Sequence, residues 1–178
     1  LGGPVLEGDG EKGVVSCAED GKFYILTVKL EKNRSHFDTD KAFLDACEQH
    51  FVRVLDAYGP DGKHSKENPA FADNPLRFVE VWAEPNFKYM IPDREPREEV
   101  EAEREALYGL LLKMAYRVIK EKAPSIQVIG FCTGGVGSAA ADRRFIEHSH
   151  QLHPGLGDCY DILSTHPYMN PAPPEAAQ

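Results

Sequence analysis

Apolar residues along this chain fall into two textures that alternate. Short runs with little polar interruption, KFYILTVKL (22–30), LRFVEVWAEPN (76–86), SIQVIGF (125–131) and CYDILSTHPY (159–168), are rich in aromatic and β-branched residues. Such runs predict strands buried on both faces, as in a parallel sheet. Between them, apolar residues recur at three- and four-residue steps. In SHFDTDKAFLDACEQHFVRVLDAYG (35–59), Phe43, Leu44, Cys47, Phe51, Val54, Leu55 and Tyr58 carry that period, Thr39 or Asp38 can cap the start, and Gly59-Pro60 ends the helix. REEVEAEREALYGLLLKMAYRVIKEKAP (97–124) is a long amphipathic helix, acidic early and basic late, closed by Pro124. DRRFIEHSHQLHPG (142–155) reads as a third helix. The first twenty residues hold five glycines and a proline and predict loop, with at most a short strand at Gly13 to Ser16. DGKHSKENPAFADNP (61–75), Lys88 to Pro96 and TGGVGSAA (133–140) read as loops. The predicted order is β-α-β-α-β-α-β. That alternation indicates a single α/β domain with crossover helices, either a doubly wound sheet or part of an eight-fold barrel.

Composition narrows the partners. With 178 residues, 42% apolar and 28% charged, the chain can bury one core. A net charge of −9 without any Lys/Arg cluster longer than a pair argues against nucleic acid, whose phosphates need a basic face. Phe23 to Leu30 and Leu107 to Ala115 are too short to cross a bilayer, and Leu1 opens no signal-peptide pattern, so a soluble chain is expected, secreted or cytoplasmic alike, with no membrane partner. Cys17, Cys47, Cys132 and Cys159 lie far apart without CxxC spacing, so the cysteines imply core or free thiols and no metal.

Three stretches carry candidate chemistry. Gly135-Val136-Gly137-Ser138-Ala139-Ala140 fits G-x-G-x-x-A, which in a Rossmann-like enzyme seats a dinucleotide pyrophosphate, but it starts several residues beyond its strand and also suits a flexible loop or helix start. His148, His150 and His153 invite a metal, yet residues two apart on a helix diverge, and a solvated helix end accounts for them. The third stretch is the strand end FVEVWAEPN. Phe78, Val79, Val81 and Trp82 form strand, Pro85 stops it, and Glu84 is delivered to the carboxyl end, the edge where α/β folds keep their chemistry. His166 and Tyr168 arrive at the corresponding end of the last strand.

VEVWAEPN resembles the W-N-E-P-N strand end of clan A glycoside hydrolases, and its surroundings look closest to the family 39, β-xylosidase-like group. A helix ending in LDAYG, a variable loop, the E-x-W-x-E-P-N strand and a later S-x-H-P-Y strand end carry the likeness, over roughly residues 22 to 170. The resemblance implies a (β/α)8 TIM barrel of which this chain, about 70 residues short of a usual barrel of about 250, supplies the third to sixth strands. It implies retaining hydrolysis of a β-linked oligo- or polysaccharide without a cofactor. Glu84 takes the place of the general acid/base, a group whose proton must survive near neutral pH. Trp82, Asn86, His166 and Tyr168 are implied substrate-side residues. Strand alternation puts Trp82 and Glu80 on the face of Glu84. Glu80, about 13 Å away along an extended strand, is too deep for the second carboxylate, which must lie about 5 to 5.5 Å from the first. Asn86 also suits the turn. Two departures stand out. Ala83 replaces the family asparagine that donates to the sugar 2-hydroxyl, and the nucleophile's strand is expected beyond Gln178. A non-catalytic carbohydrate-binding protein on the same fold is therefore the rival expectation. A partial barrel exposes strand edges, so the rest of the barrel or another copy of the chain is an expected partner.

Overall fold

The computed structural model describes residues 10–135 and 139–166. It is an α/β fold with four parallel strands, β1 (Leu26–Val28), β2 (Phe78–Val81), β3 (Gln127–Gly134) and β4 (Ile162–His166), in the spatial order β1-β2-β3-β4. Each strand therefore pairs with its neighbour in sequence, and the described sheet has no point where strand order reverses. The register places Thr27 beside Glu80 and Glu80 beside Ile129, so these three share one face of the sheet.

The helices α2 (Asp40–Tyr58), α5 (Arg97–Lys122) and α6 (Ala139–Leu152) form consecutive crossovers, with α2 packed on α5 and α5 on α6. Thr39 caps α2 by accepting from the Ala42 amide at 3.1 Å. Glu98 and Glu99 open α5, while Lys120 and Lys122 close it, matching its dipole. Phe43, Phe51 and Val54 of α2 and Leu111, Leu112 and Ala115 of α5 are fully buried together with Val28, Val79, Val81 and Val128 of the strands. Each such Phe, Leu or Val side chain contributes roughly 1.5–3 kcal/mol on removal from water. None of the described helices is long and apolar enough to cross a membrane.

Two segments differ from the pattern reading. Residues Gly10–Glu19 form helix α1, not loop or strand, because Ala18 buries against the fold and α1 packs on α4, which outweighs the low helix propensity of its glycines. The stretch 61–75 contains two short helices, α3 (Lys63–Glu67) and α4 (Pro69–Asp73). Asn68 caps α4 through the Ala70 amide at 3.0 Å, Pro69 opens it, and Phe71 is fully buried beneath it. A single apolar anchor gives no period, so the pattern alone misses such helices.

Candidate functional site

The carboxyl ends of β2 and β3 both leave regular strand geometry. Trp82 (φ 65°) and Glu84 (φ 52°) after β2, and Phe131 (φ 73°) and Cys132 (φ 44°) within β3, are non-glycine residues in the left-handed region. Each such residue costs on the order of 1–3 kcal/mol, and clusters of them are typical of functional edges. The turns break the two-residue alternation. Val81 and Trp82 both face the helices, where Trp82 packs edge-on to Phe43 at 5.7 Å between ring centres. Phe131 likewise turns to the helix layer, against Tyr108 and Phe145. Trp82 is thereby turned off the face that alternation would have it share with Glu80 and Glu84, and Cys132 is swung onto that face, beside Glu80.

Tyr108 of α5 holds the two irregular ends together. Its hydroxyl accepts from the Phe131 amide at 2.6 Å and donates to the Val81 carbonyl at 3.3 Å, two backbone groups that lie past the Glu80–Ile129 pair where the ladder between β2 and β3 ends. Burial raises the Tyr108 pKa well above its ordinary value, so the hydroxyl stays a donor. The Glu84 amide donates to the Cys132 carbonyl at 3.0 Å, which ties the acidic turn to β3.

On the far face of the sheet the polar side chains form one connected group. Thr27 Oγ1 donates to Glu80 Oε1 at 3.0 Å, and Glu80 Oε2 lies 3.3 Å from His166 Nε2. His166 Nδ1 faces Glu84 Oε1 at 3.6 Å, within ion-pair distance. One imidazole thus sits between two carboxylates, and its charged form can donate to both. Glu80 is buried, whereas Glu84 keeps 12% of its side chain accessible and His166 26%. Cys132 completes the group, with its thiol pushed up by burial first and by the Glu80 charge second.

The predicted site residues separate into three sets. Glu84 and His166 come together at the carboxyl edge of the sheet. Trp82 does not wall this site. At 1% exposure it belongs to the helix–sheet core, because its positive φ rotates it off the face that strand alternation assigns. Its indole Nε1 has no hydrogen-bond partner among the described residues. Asn86 is a clamp. Its Oδ1 accepts from the Gly134 amide at 3.0 Å, and its Nδ2 donates to Asp142 Oδ1 at 3.2 Å and to the Gly134 carbonyl at 3.4 Å, which engages the whole amide and leaves no free donor for a sugar. Tyr168 lies outside the described residues, as do Val136, Gly137 and Ser138 of the glycine-rich stretch.

Cys132 and Tyr108 are the members that pattern reading missed, whereas it sets Glu80 on the face of Glu84 but too far from it. Extension along a strand sets Glu80 about 13 Å from Glu84, but the turn at Trp82 brings both carboxylates to one imidazole. The three late histidines have separate partners: His148 faces Glu105 at 3.3 Å, His150 stacks on Phe131, and His153 reaches the Ala106 carbonyl at 2.8 Å. Burial raises the Glu105 carboxyl pKa, and His148 and Arg144 oppose it.

Gly134 lets the turn close on the strand. A Cβ there would overlap the Phe87 ring and lie 2.9 Å from Cδ of Glu84. All four cysteines are free thiols. Comparison of the chain with protein-family models, with curated proteins and with solved structures returned no match.

Proposed function

We propose that the protein hydrolyses β-linked oligo- or polysaccharides by a retaining double displacement in which Glu84 is the general acid/base. The observation that carries the reading is the position of Glu84. It is a partly accessible carboxyl group on a strained turn at the carboxyl end of a parallel strand, beside His166 from the end of β4. The sequential strand order with consecutive crossover helices packed on one another supports a barrel segment over a doubly wound sheet. In this reading β1 to β4 are the third to sixth strands of a (β/α)8 barrel. β1 and β4 have unpaired edges among the described strands, which suits completion by the rest of a barrel or by a second copy.

In the first step Glu84 gives its proton to the glycosidic oxygen while a second carboxylate attacks the anomeric carbon. The glycosidic bond breaks, the alcohol leaves, and a glycosyl ester forms. In the second step ionised Glu84 takes a proton from water, whose oxygen attacks the same carbon and frees the carboxylate. Two inversions give net retention. Glu80 is not that nucleophile, since its oxygens are engaged by Thr27 and His166 and its side chain is buried away from an incoming sugar. The nucleophile of this reading comes from outside residues 1–178. His166 orients the Glu84 carboxyl, and Ala83 leaves recognition of the sugar 2-hydroxyl to another donor.

The test is hydrolysis of a panel of aryl β-glycosides and β-linked polysaccharides by the longest natural form of this chain, beside its Glu84→Gln variant. Polysaccharide cleavage that falls by about 10²-fold or more in the variant supports the reading, at the scale expected for a lost proton donor. Sugar binding without cleavage in the unaltered protein favours the non-catalytic carbohydrate-binding alternative, which Ala83 motivates.

A further inference from the structure

Glu80, Cys132 and His166 are far apart in sequence and meet only in the fold. Each offers one ligand atom, and these atoms all lie within 4.8 Å of one another. We propose that the three residues form a binding site for zinc or a similar borderline-soft divalent cation. This inference does not rest on the glycosidase reading.

Four features carry it. The first is distance. A tetrahedral ion with bonds of about 2.0–2.1 Å to nitrogen and oxygen sets those ligands about 3.3 Å apart, and His166 Nε2 lies 3.3 Å from Glu80 Oε2. A zinc–sulfur bond of about 2.3 Å needs the thiolate about 3.6 Å from either, a contraction of about 1.2 Å at most from the 4.8 Å that bounds the group. The second is donor chemistry. Thiolate, imidazole and carboxylate together suit zinc, whereas magnesium and calcium take oxygen donors alone.

The third feature is the set of contacts behind the ligands. Thr27 donates to the other oxygen of Glu80, leaving Oε2 directed at the site. The other ring nitrogen of His166 faces Glu84 Oε1 at 3.6 Å, the side from which a carboxyl oxygen that closes to hydrogen-bond distance orients a metal-bound imidazole. The fourth is the backbone. Cys132 occupies the left-handed region, an unfavourable state for a side chain, and the turn directs its sulfur to the polar face instead of the helices. Binding replaces the thiol proton: the sulfur–hydrogen bond breaks, the sulfur–metal bond forms, and one proton goes to solvent with no change of oxidation state. Three protein ligands leave one tetrahedral position for water.

Cobalt(II) is the probe, because its bond to a thiolate gives a charge-transfer absorption in the near ultraviolet. The longest natural form of the chain, stripped of metal, is titrated with cobalt(II) and then with zinc(II), and proton release is followed in weak buffer. The expected result is one cobalt per chain, a thiolate charge-transfer band, release of one proton, and loss of the band when zinc displaces cobalt. Cys132→Ser should abolish the band and His166→Gln should weaken binding about tenfold or more, while Cys47→Ser in α2 keeps both. Should Cys132→Ser fail to fold by circular dichroism, His166→Gln and the proton count decide. Absence of the band at excess cobalt, or a band that survives Cys132→Ser and disappears on changing Cys17 or Cys159, overturns the site. Both results leave the glycosidase test untouched, since the readout is metal binding and not hydrolysis.

Discussion

Four residues with positive φ, Trp82, Glu84, Phe131 and Cys132, decide what the sheet presents at its carboxyl edge. Regular alternation would bury Glu84 and Trp82 side by side. The observed turns instead send the two aromatic rings into the core and bring the thiol to the face that Glu80 and Glu84 share. Gly134 is the matching device on β3, since it alone leaves room for Phe87 and for the Glu84 carboxyl. Gly134→Ala should therefore shift Glu84 and lower kcat/KM on polysaccharide by about 10²-fold, with a stability loss of roughly 1–3 kcal/mol from overpacking. Steady-state kinetics together with urea unfolding separate the two effects, and unchanged kinetics would mean that the Glu84 position is not critical. The place of Glu84 just past the end of β2 was readable from E-P-N at the end of an apolar run. The positions of Trp82 and Glu80 were not, because a strand pattern carries no sign of where φ changes hand.

At the scale of elements, α5 does more than cover the sheet. Tyr108 supplies its hydroxyl to Phe131 N and Val81 O, where β2 and β3 diverge and the ladder stops. Tyr108→Phe keeps the ring packing and strands both backbone groups in a buried place. At about 1–3 kcal/mol for each unsatisfied group, the expected loss is roughly 2–6 kcal/mol in chemical denaturation, and a loss under about 0.5 kcal/mol would contradict this bridging role. The three long helices were legible because their apolar periods extend over many residues, and the four strands because each stands in an apolar run with little polar interruption. Strand limits contracted to the paired segment, as β1 shows: a nine-residue apolar run yields only Leu26–Val28, the part that faces Val79 to Val81. The helices α1, α3 and α4 were missed because each is held by one or two tertiary anchors, such as Ala18 and Phe71, and not by a repeating face.

For the whole molecule, the sequential parallel sheet with its helices in consecutive contact sets the frame, and two buried carboxyls set part of its pH response. Burial raises the pKa of Glu105 and of Asp142 above their ordinary values of 4.5 and 3.8. The folded state then binds more protons than the unfolded state between the ordinary and the raised values. Stability from these groups is present at low pH and falls as pH rises through that window. The thermal midpoint of Glu105→Gln should accordingly show a shallower decline with pH from about 4.5 upward than the unaltered protein, and parallel curves would contradict the assignment. The measurement closest to the central claim is the dependence of hydrolysis on leaving-group acidity for the longest natural form and its Glu84→Gln variant. A proton donor matters most where the departing alcohol is a poor leaving group. The account predicts a variant that retains much of its rate on aryl glycosides with strongly acidic phenols and loses about 10²-fold or more on alkyl glycosides and polysaccharide. An equal loss on every substrate, or no loss on any, would contradict Glu84 as the general acid/base.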